Sequence, residues 1–224
     1  MPAPLAHVAF QPAYRIVSSR FPPVGVFDDI ADAADLEALY ELESMTSPRL
    51  REELGAIELI PAQRRIAGPG TTPIMAAFTH LNPEGSRFTP GWYGVYYCAQ
   101  EQGTAIAETA FHKARFLKNT NEPACVLDMR CYVGGIDGRF HDIRGAYPEL
   151  HDPESYVASQ RLAIELRGQG SNGIVYDSVR SPGGTCLAAF YPDVVQPVCQ
   201  GPHLQYHWDG ERISRVTEAR DIAY

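Results

Sequence analysis

The sequence lacks most of what would place a chain in a membrane or on nucleic acid. No apolar run approaches the roughly 18 to 20 residues a bilayer requires, and the opening Met1-Pro2-Ala3-Pro4 has no basic stretch followed by an apolar one. The expectation is a cytoplasmic protein with no membrane partner. Cations are in deficit: 19 Lys and Arg stand against 27 Asp and Glu in 224 residues, a formal net charge of -8. That balance opposes binding along a phosphate backbone and argues against direct contact with nucleic acid. The five cysteines are odd in number and include no C-x-x-C pair, so buried free thiols are expected rather than a disulfide frame. Internal repeats and low-complexity linkers are also missing.

What is present suits one sizeable core, since 45% of the residues are hydrophobic and 10% aromatic. The expected organisation is a domain over residues 61–224, with residues 1–60 as an N-terminal extension packed on it. Within that extension Tyr14-Arg15-Ile16-Val17 reads as a short strand, and Phe21-Pro22-Pro23 must be extended. Asp32 or Asp35 could cap a helix through Leu36, Leu39, Tyr40 and Leu42, stopped by Thr46-Ser47-Pro48, with a further turn or two over Arg49 to Gly55.

The chain is organised around the stretch from Gly85 to His112. Arg87 enters a Pro90-Gly91 turn, and Val95-Tyr96-Tyr97-Cys98-Ala99 has strand composition. Alternation places Tyr97 on the side of Val95 and Ala99, with Tyr96 opposite. From Gly103 to Leu117 the pattern is helical, with an apolar stripe through Ala107, Ala110/Phe111, Ala114 and Leu117. Thr104, Glu108, His112 and Arg115 share another stripe, and Glu108 is expected one turn inside the helix. A cation, a ring and a carboxylate can therefore converge.

Downstream, residues 124–133 alternate as a half-buried strand that Gly134-Gly135 should break. Asp152-Pro153-Glu154 carries a helix-start signal for a helix through Ala158, Leu162 and Leu166. Gly173-Ile174-Val175-Tyr176-Asp177-Ser178 reads as a strand ending in a hydroxyl, Cys186 to Tyr191 as another, and Asp209-Gly210 as a hairpin turn.

Other chemistry is weakly signalled. The Gly68-Pro69-Gly70 loop has neither the P-loop Lys-Ser/Thr nor a G-x-G-x-x-G pattern. Cys199, His203 and His207 are spaced by four, yet they lie on a strand pattern and lack a fourth ligand, so no metal is expected. Ser178 or Ser181 could suggest a hydrolase triad, but no G-x-S-x-G elbow is present. Taken singly, Arg87, Tyr97, Glu108 and Ser178 are ordinary: a solvated charge, a core tyrosine, a surface carboxylate and a turn hydroxyl.

Together, these residues carry a resemblance. Ser86-Arg87-Phe88, Val95-Tyr96-Tyr97-Cys98-Ala99, Ala105-Ile106-Ala107-Glu108 and the late strand ending at Ser178 resemble the RES-domain family, toxins of bacterial toxin-antitoxin pairs. Arg87 and Tyr97 are ten residues apart, and Tyr97 and Glu108 eleven. Tyr14-Arg15-Ile16-Val17 and Phe27-Asp28-Asp29-Ile30 extend the likeness over most of the chain. Departures are Arg87-Phe88-Thr89, with the tryptophan displaced to Trp92, and Tyr191-Pro192 on the late strand; Ser181 rivals Ser178 as the functional serine. The resemblance implies an α/β (α+β) fold with a mixed sheet and flanking helices, similar to ADP-ribosyltransferase toxins. NAD+ is implied as substrate, with Arg87, Tyr97, Glu108 and Ser178 as its catalytic and binding residues. Also implied are a cognate antitoxin with a helix-turn-helix DNA-binding domain that blocks the NAD+ site, and a metabolic-enzyme target such as one making phosphoribosyl pyrophosphate. Two alternatives remain at this point: an NAD+ glycohydrolase or phosphorylase, and a non-catalytic nucleotide- or partner-binding module.

Overall fold

The computed structural model describes residues 3–19, 28 and 55–219. The expected helix from Leu36 to Leu42, the extended Phe21–Phe27 stretch, the Arg49–Leu54 turns and most of the Phe27–Ile30 resemblance lie outside the described residues. Seven strands and three α-helices are found among those described. The strands are β1 (Leu5–Ser18), β2 (Tyr96–Ala99), β3 (Cys125–Asp142), β4 (Gly173–Asp177), β5 (Thr185–Ala189), β6 (Cys199–Trp208) and β7 (Ile213–Ala219). We number the helices α1 (Thr72–Thr79), α2 (Gln102–Asn119) and α3 (Val157–Gly168). None is long and apolar enough to cross a membrane.

The strand order is β1-β2-β5-β4-β3-β6-β7, and β1 also pairs with β3, so five strands close on themselves while β6 and β7 extend the sheet. Among the described strands only β3 and β4 run parallel. This is the mixed-sheet α+β fold expected from the sequence. β1 is longer than its Tyr14–Val17 core suggested, because it runs antiparallel along β3 from Leu5↔His141 to Ser18↔Met129.

The expected break at Gly134-Gly135 does not occur, and β3 continues to Asp142. The glycines answer a close approach instead. A Cβ on Gly134 would meet Val198 Cγ1 at 2.6 Å, and the Gln196 N–H donates to the Gly135 carbonyl at 2.9 Å. Glycine inside a strand accommodates a neighbouring segment that leaves no room for a side chain.

Alternation on β2 holds as expected: Tyr96 and Cys98 enter one core cluster, with Val8, Phe10, Phe78 and Leu187. Val95, Tyr97 and Ala99 face the other, with Met129, Cys131, Ile174 and Ala188. α2 buries Thr104, Ala105 and Leu117 and packs Ile106 and Ala110 on this second cluster. Ala107 and Ala114 are not part of it, so the buried stripe is rotated from the one the alanines suggested. Of the free cysteines, Cys98, Cys131 and Cys186 are buried, Cys125 is half-buried and Cys199 is exposed.

Asp152 does not cap α3. Its Oδ1 accepts from the N–H groups of Glu154 and Ser155 at 2.7 and 3.0 Å, closing a turn, and the helix begins at Val157. Asp and Asn side chains compete with helix starts in this way because they bond the backbone two residues on.

Candidate functional site

A cleft of about 620 Å³ opens on the α2 side of β2, within the range of small-molecule sites. Its walls include Ser86 and Arg87 from the turn before β2, Tyr97 from β2, Glu108, His112 and Arg115 from α2, and Tyr156 and Tyr176. Three of the four residues singled out from the sequence thus line one cavity, and the fourth bonds into it. Ser178, just past β4 and 7% exposed, donates from Oγ to Glu108 Oε1 at 2.6 Å. Glu108 lies six residues past Gln102, the first residue of α2, nearer two turns than the one expected.

Ser178 is itself held in place. Its Oγ accepts from the backbone N–H groups of Ser181 and Arg180 at 2.9 and 3.2 Å, and its own N–H donates to the Gly184 carbonyl. Its hydroxyl proton is therefore left for the carboxylate. The hydroxyl of Ser181, its rival, receives a long 3.4 Å contact from Thr104 Oγ1 and no other among the described residues. No histidine bonds either hydroxyl among the described residues, which leaves the hydrolase triad without its base.

Tyr97 does more than present a ring. Its hydroxyl lies 2.7 Å from Ser86 Oγ and accepts from the Phe88 N–H at 3.0 Å, so it grips the turn on both sides of Arg87. Burial pushes the Tyr97 phenol well up, against the opposing effect of those two bonds, and it stays a neutral hydrogen-bonding group. The same turn is pinned from α3, where Gln160 Nε2 donates to the carbonyls of Ser86 and Thr89 at 2.9 and 3.2 Å. Gly85, at φ +71, completes it.

Arg87, 7% exposed, donates from Nη1 to the carbonyls of Leu150 and Asp152, both at 3.0 Å, and sits 4.7 Å from the Tyr156 ring centroid. No protein carboxylate neutralises it, and its Nε and Nη2 have no protein acceptor among the described residues. Arg180 ties the same loop by donating to the Pro153 carbonyl at 2.6 Å while stacking 3.4 Å over Phe111. The Leu150–Tyr156 segment is thus fixed by two guanidiniums. Burial raises the Tyr176 phenol, with Cys186 and the Glu108 charge adding to it, and it raises the Cys186 thiol, where Glu108 again adds. Both remain protonated. His112 is lowered by desolvation, with Glu108 opposing and the guanidiniums of Arg180, Arg115 and Arg87 reinforcing.

Sequence reasoning missed Ser86, Tyr156, Gln160 and Arg180. Gln160 alone carried a local signal, as a polar side chain beside buried Ser159 and Ala163 on α3. The weaker candidates are explained otherwise. Two N–H groups after the Gly68–Gly70 loop, of Thr71 and Thr72, are taken by Asp28 Oδ1 at 3.0 and 2.8 Å. Cys199, His203 and His207 stand on β6, where a spacing of four separates successive residues by ~13 Å, too far to share an ion.

The RES domain family model matches residues 62–209. Among curated proteins, the uncharacterized protein y4oC of Sinorhizobium fredii (strain NBRC 101917 / NGR234) is 34% identical over 203 residues, covering 90% of this chain and 84% of its own. Among solved structures, a chain of the M. tuberculosis MbcT-MbcA toxin-antitoxin complex aligns at 10% identity with a TM-score of 0.46, covering 92% of this chain and 87% of that one. That last likeness is too distant to carry a functional argument.

Proposed function

Because this chain belongs to the RES-domain family, we propose that it is the toxin of a toxin-antitoxin pair and cleaves the nicotinamide-ribose bond of NAD+, transferring the ADP-ribose to a protein. The observation that carries the reading is the Glu108 carboxylate, oriented by Ser178 in a cleft shared with Arg87 and Tyr97.

The chemistry follows from charge. As the C–N bond breaks, nicotinamide leaves with the bonding electron pair, and the anomeric carbon takes on oxocarbenium character, as in glycoside cleavage. Glu108 accepts a hydrogen bond from a ribose hydroxyl and faces the developing cation, an attraction stronger in the transition state than in the ground state. Ser178 fixes which carboxylate oxygen is spent on the protein and leaves the other for the sugar. Arg87 offers its free Nε and Nη2 to a phosphate or hydroxyl oxygen, and Tyr97 holds the Arg87 turn while its ring faces the nicotinamide. The acceptor supplies the electron pair that forms the new bond at the anomeric carbon.

By resemblance, the acceptor is a metabolic enzyme such as one making phosphoribosyl pyrophosphate. The restraining partner is an antitoxin with a helix-turn-helix domain that inserts a segment into the cleft. Mass spectrometry after incubation with NAD+, phosphate and cell lysate tests the acceptor: a protein gaining ADP-ribose is expected, whereas only free or phosphorylated ADP-ribose would make the chain a glycohydrolase or phosphorylase. Expression without a partner should arrest growth; normal growth with normal NAD+ levels would contradict the toxin assignment.

A further inference from the structure

The cleft does not end at Glu108. Along α2 it is also lined by His112, Arg115, Phe116, Asn119 and, at the helix end, Thr120. Counted from Glu108 these recur at i+4, i+7, i+8, i+11 and i+12, a single helix face. At 1.5 Å of rise per residue, Phe116 lies ~12 Å and Thr120 ~18 Å beyond Glu108. This arm suits a ligand longer than one nucleoside.

The charged lining comprises Glu84, Glu154, Arg15 and Arg87 around Glu108, and along α2 beyond Glu108 it comprises His112 and Arg115. Arg115 makes no ion pair among the described residues. Phe116 is 60% exposed, an aromatic face open at the cleft instead of packed in the core. The backbone would repel an anion here, because a helix C-terminus carries partial negative charge. The Arg115 guanidinium must supply the attraction, since desolvation favours the neutral form of His112, which can serve as a hydrogen-bond donor.

We propose that this arm binds the adenosine diphosphate half of the dinucleotide, with Arg115 and His112 on the pyrophosphate and Phe116 stacked on adenine. The assignment rests on the reading of the cleft as an NAD+ site. The cationic nicotinamide ring then lies towards the Glu108 carboxylate, and the phosphates reach the Arg115 guanidinium. Guanidinium-phosphate bonds and ring stacking supply the recognition. The consequence is selectivity for NAD+ over nicotinamide mononucleotide, which has the same scissile bond but no adenylate.

Steady-state nicotinamide release from NAD+ and from nicotinamide mononucleotide tests this. The native chain should prefer NAD+, and Arg115→Ala and Phe116→Ala should each raise KM for NAD+ and cut that preference about tenfold, the effect of one lost charged contact or one lost base stack. Arg212→Ala, an exposed charge loss in the β6–β7 turn, should keep the preference. Equal efficiency on both substrates in the native chain, or arm variants that depress both in proportion, would overturn the assignment. Calorimetric titration with ADP, which has no bond to cleave, separates the two readings. If ADP binds the native chain and at least tenfold more weakly to Arg115→Ala, the arm stands even where NAD+ yields no nicotinamide. If ADP fails to bind, or binds both alike, the arm fails whatever Glu108 does.

Discussion

The Ser178 hydroxyl donates a 2.6 Å hydrogen bond to Glu108 Oε1 across seventy residues of sequence. The contact joins the end of β4 to the middle of α2 and sets the orientation of the carboxylate before any substrate arrives. Hydrogen bonds to charged groups contribute ~1.5–3 kcal/mol. Ser178→Ala should therefore slow nicotinamide release about 10- to 100-fold while KM for NAD+ changes little. Ser178→Thr, which keeps the hydroxyl, should recover part of the loss. Equal rates in Ser178→Ala and the native chain would remove Ser178 from the site.

Tyr97→Phe separates the ring from the hydroxyl. With the ring kept, the Ser86 and Phe88 contacts vanish, the Arg87 turn loosens, and the Phe88 N–H is left without its acceptor. We expect weaker NAD+ binding and a stability loss of ~1–3 kcal/mol, read from KM and a denaturant melt. A neutral outcome would show that only ring stacking matters at this position.

Much of this arrangement is legible in local sequence, and the exceptions are instructive. Tyr97 and Glu108 could be placed because strand alternation and helical period are properties of a few consecutive residues. Pairing Ser178 with Glu108 came from family resemblance, since no local pattern links positions so far apart. Gln160 and Arg180 act on loops distant in sequence, and their roles appear only once α3 and the Leu150–Tyr156 loop are folded. Gly134-Gly135 misled because glycine marks either a chain break or a tight approach, and only the neighbouring 195–198 segment decides between them. Asp152 misled because its carboxylate serves a turn as readily as a helix start.

Gly173→Ala should be among the costliest single-atom additions in the sheet. Gly173 has φ +146, and a Cβ there would collide with the Ala188 carbonyl oxygen across the β4–β5 pairing. Neither strand can move without disturbing the approach to Ser178. A loss of ~2–4 kcal/mol is expected, measured as a lower denaturation midpoint. An unchanged midpoint would contradict the observed β4–β5 register.

Acid stability should carry a signature of Asp142. Its carboxyl lies below the usual range, chiefly through hydrogen bonds from Arg144, whose side chain bonds both its oxygens at 3.0 and 2.7 Å. A group lowered on folding stabilises above its unfolded value and loses that contribution as pH falls through the lowered one. The gain should thus be complete at neutral pH and fade below about pH 4. Arg144 is partly exposed, so the effect is at most about 1 kcal/mol. Arg144→Met, which keeps the backbone N–H bond to Asp142, should remove most of it at pH 6 and match the native chain near pH 2.

The most direct measurement is nicotinamide release from NAD+ by the purified chain, with Glu108→Gln alongside. Gln keeps the shape and one oxygen acceptor for Ser178 but removes the charge that faces the developing cation, a loss of ~3 kcal/mol or more. The account predicts release by the native chain and a fall of at least about a hundredfold in a variant with an unchanged melting curve. Undiminished release by Glu108→Gln, or none by the native chain, would contradict it.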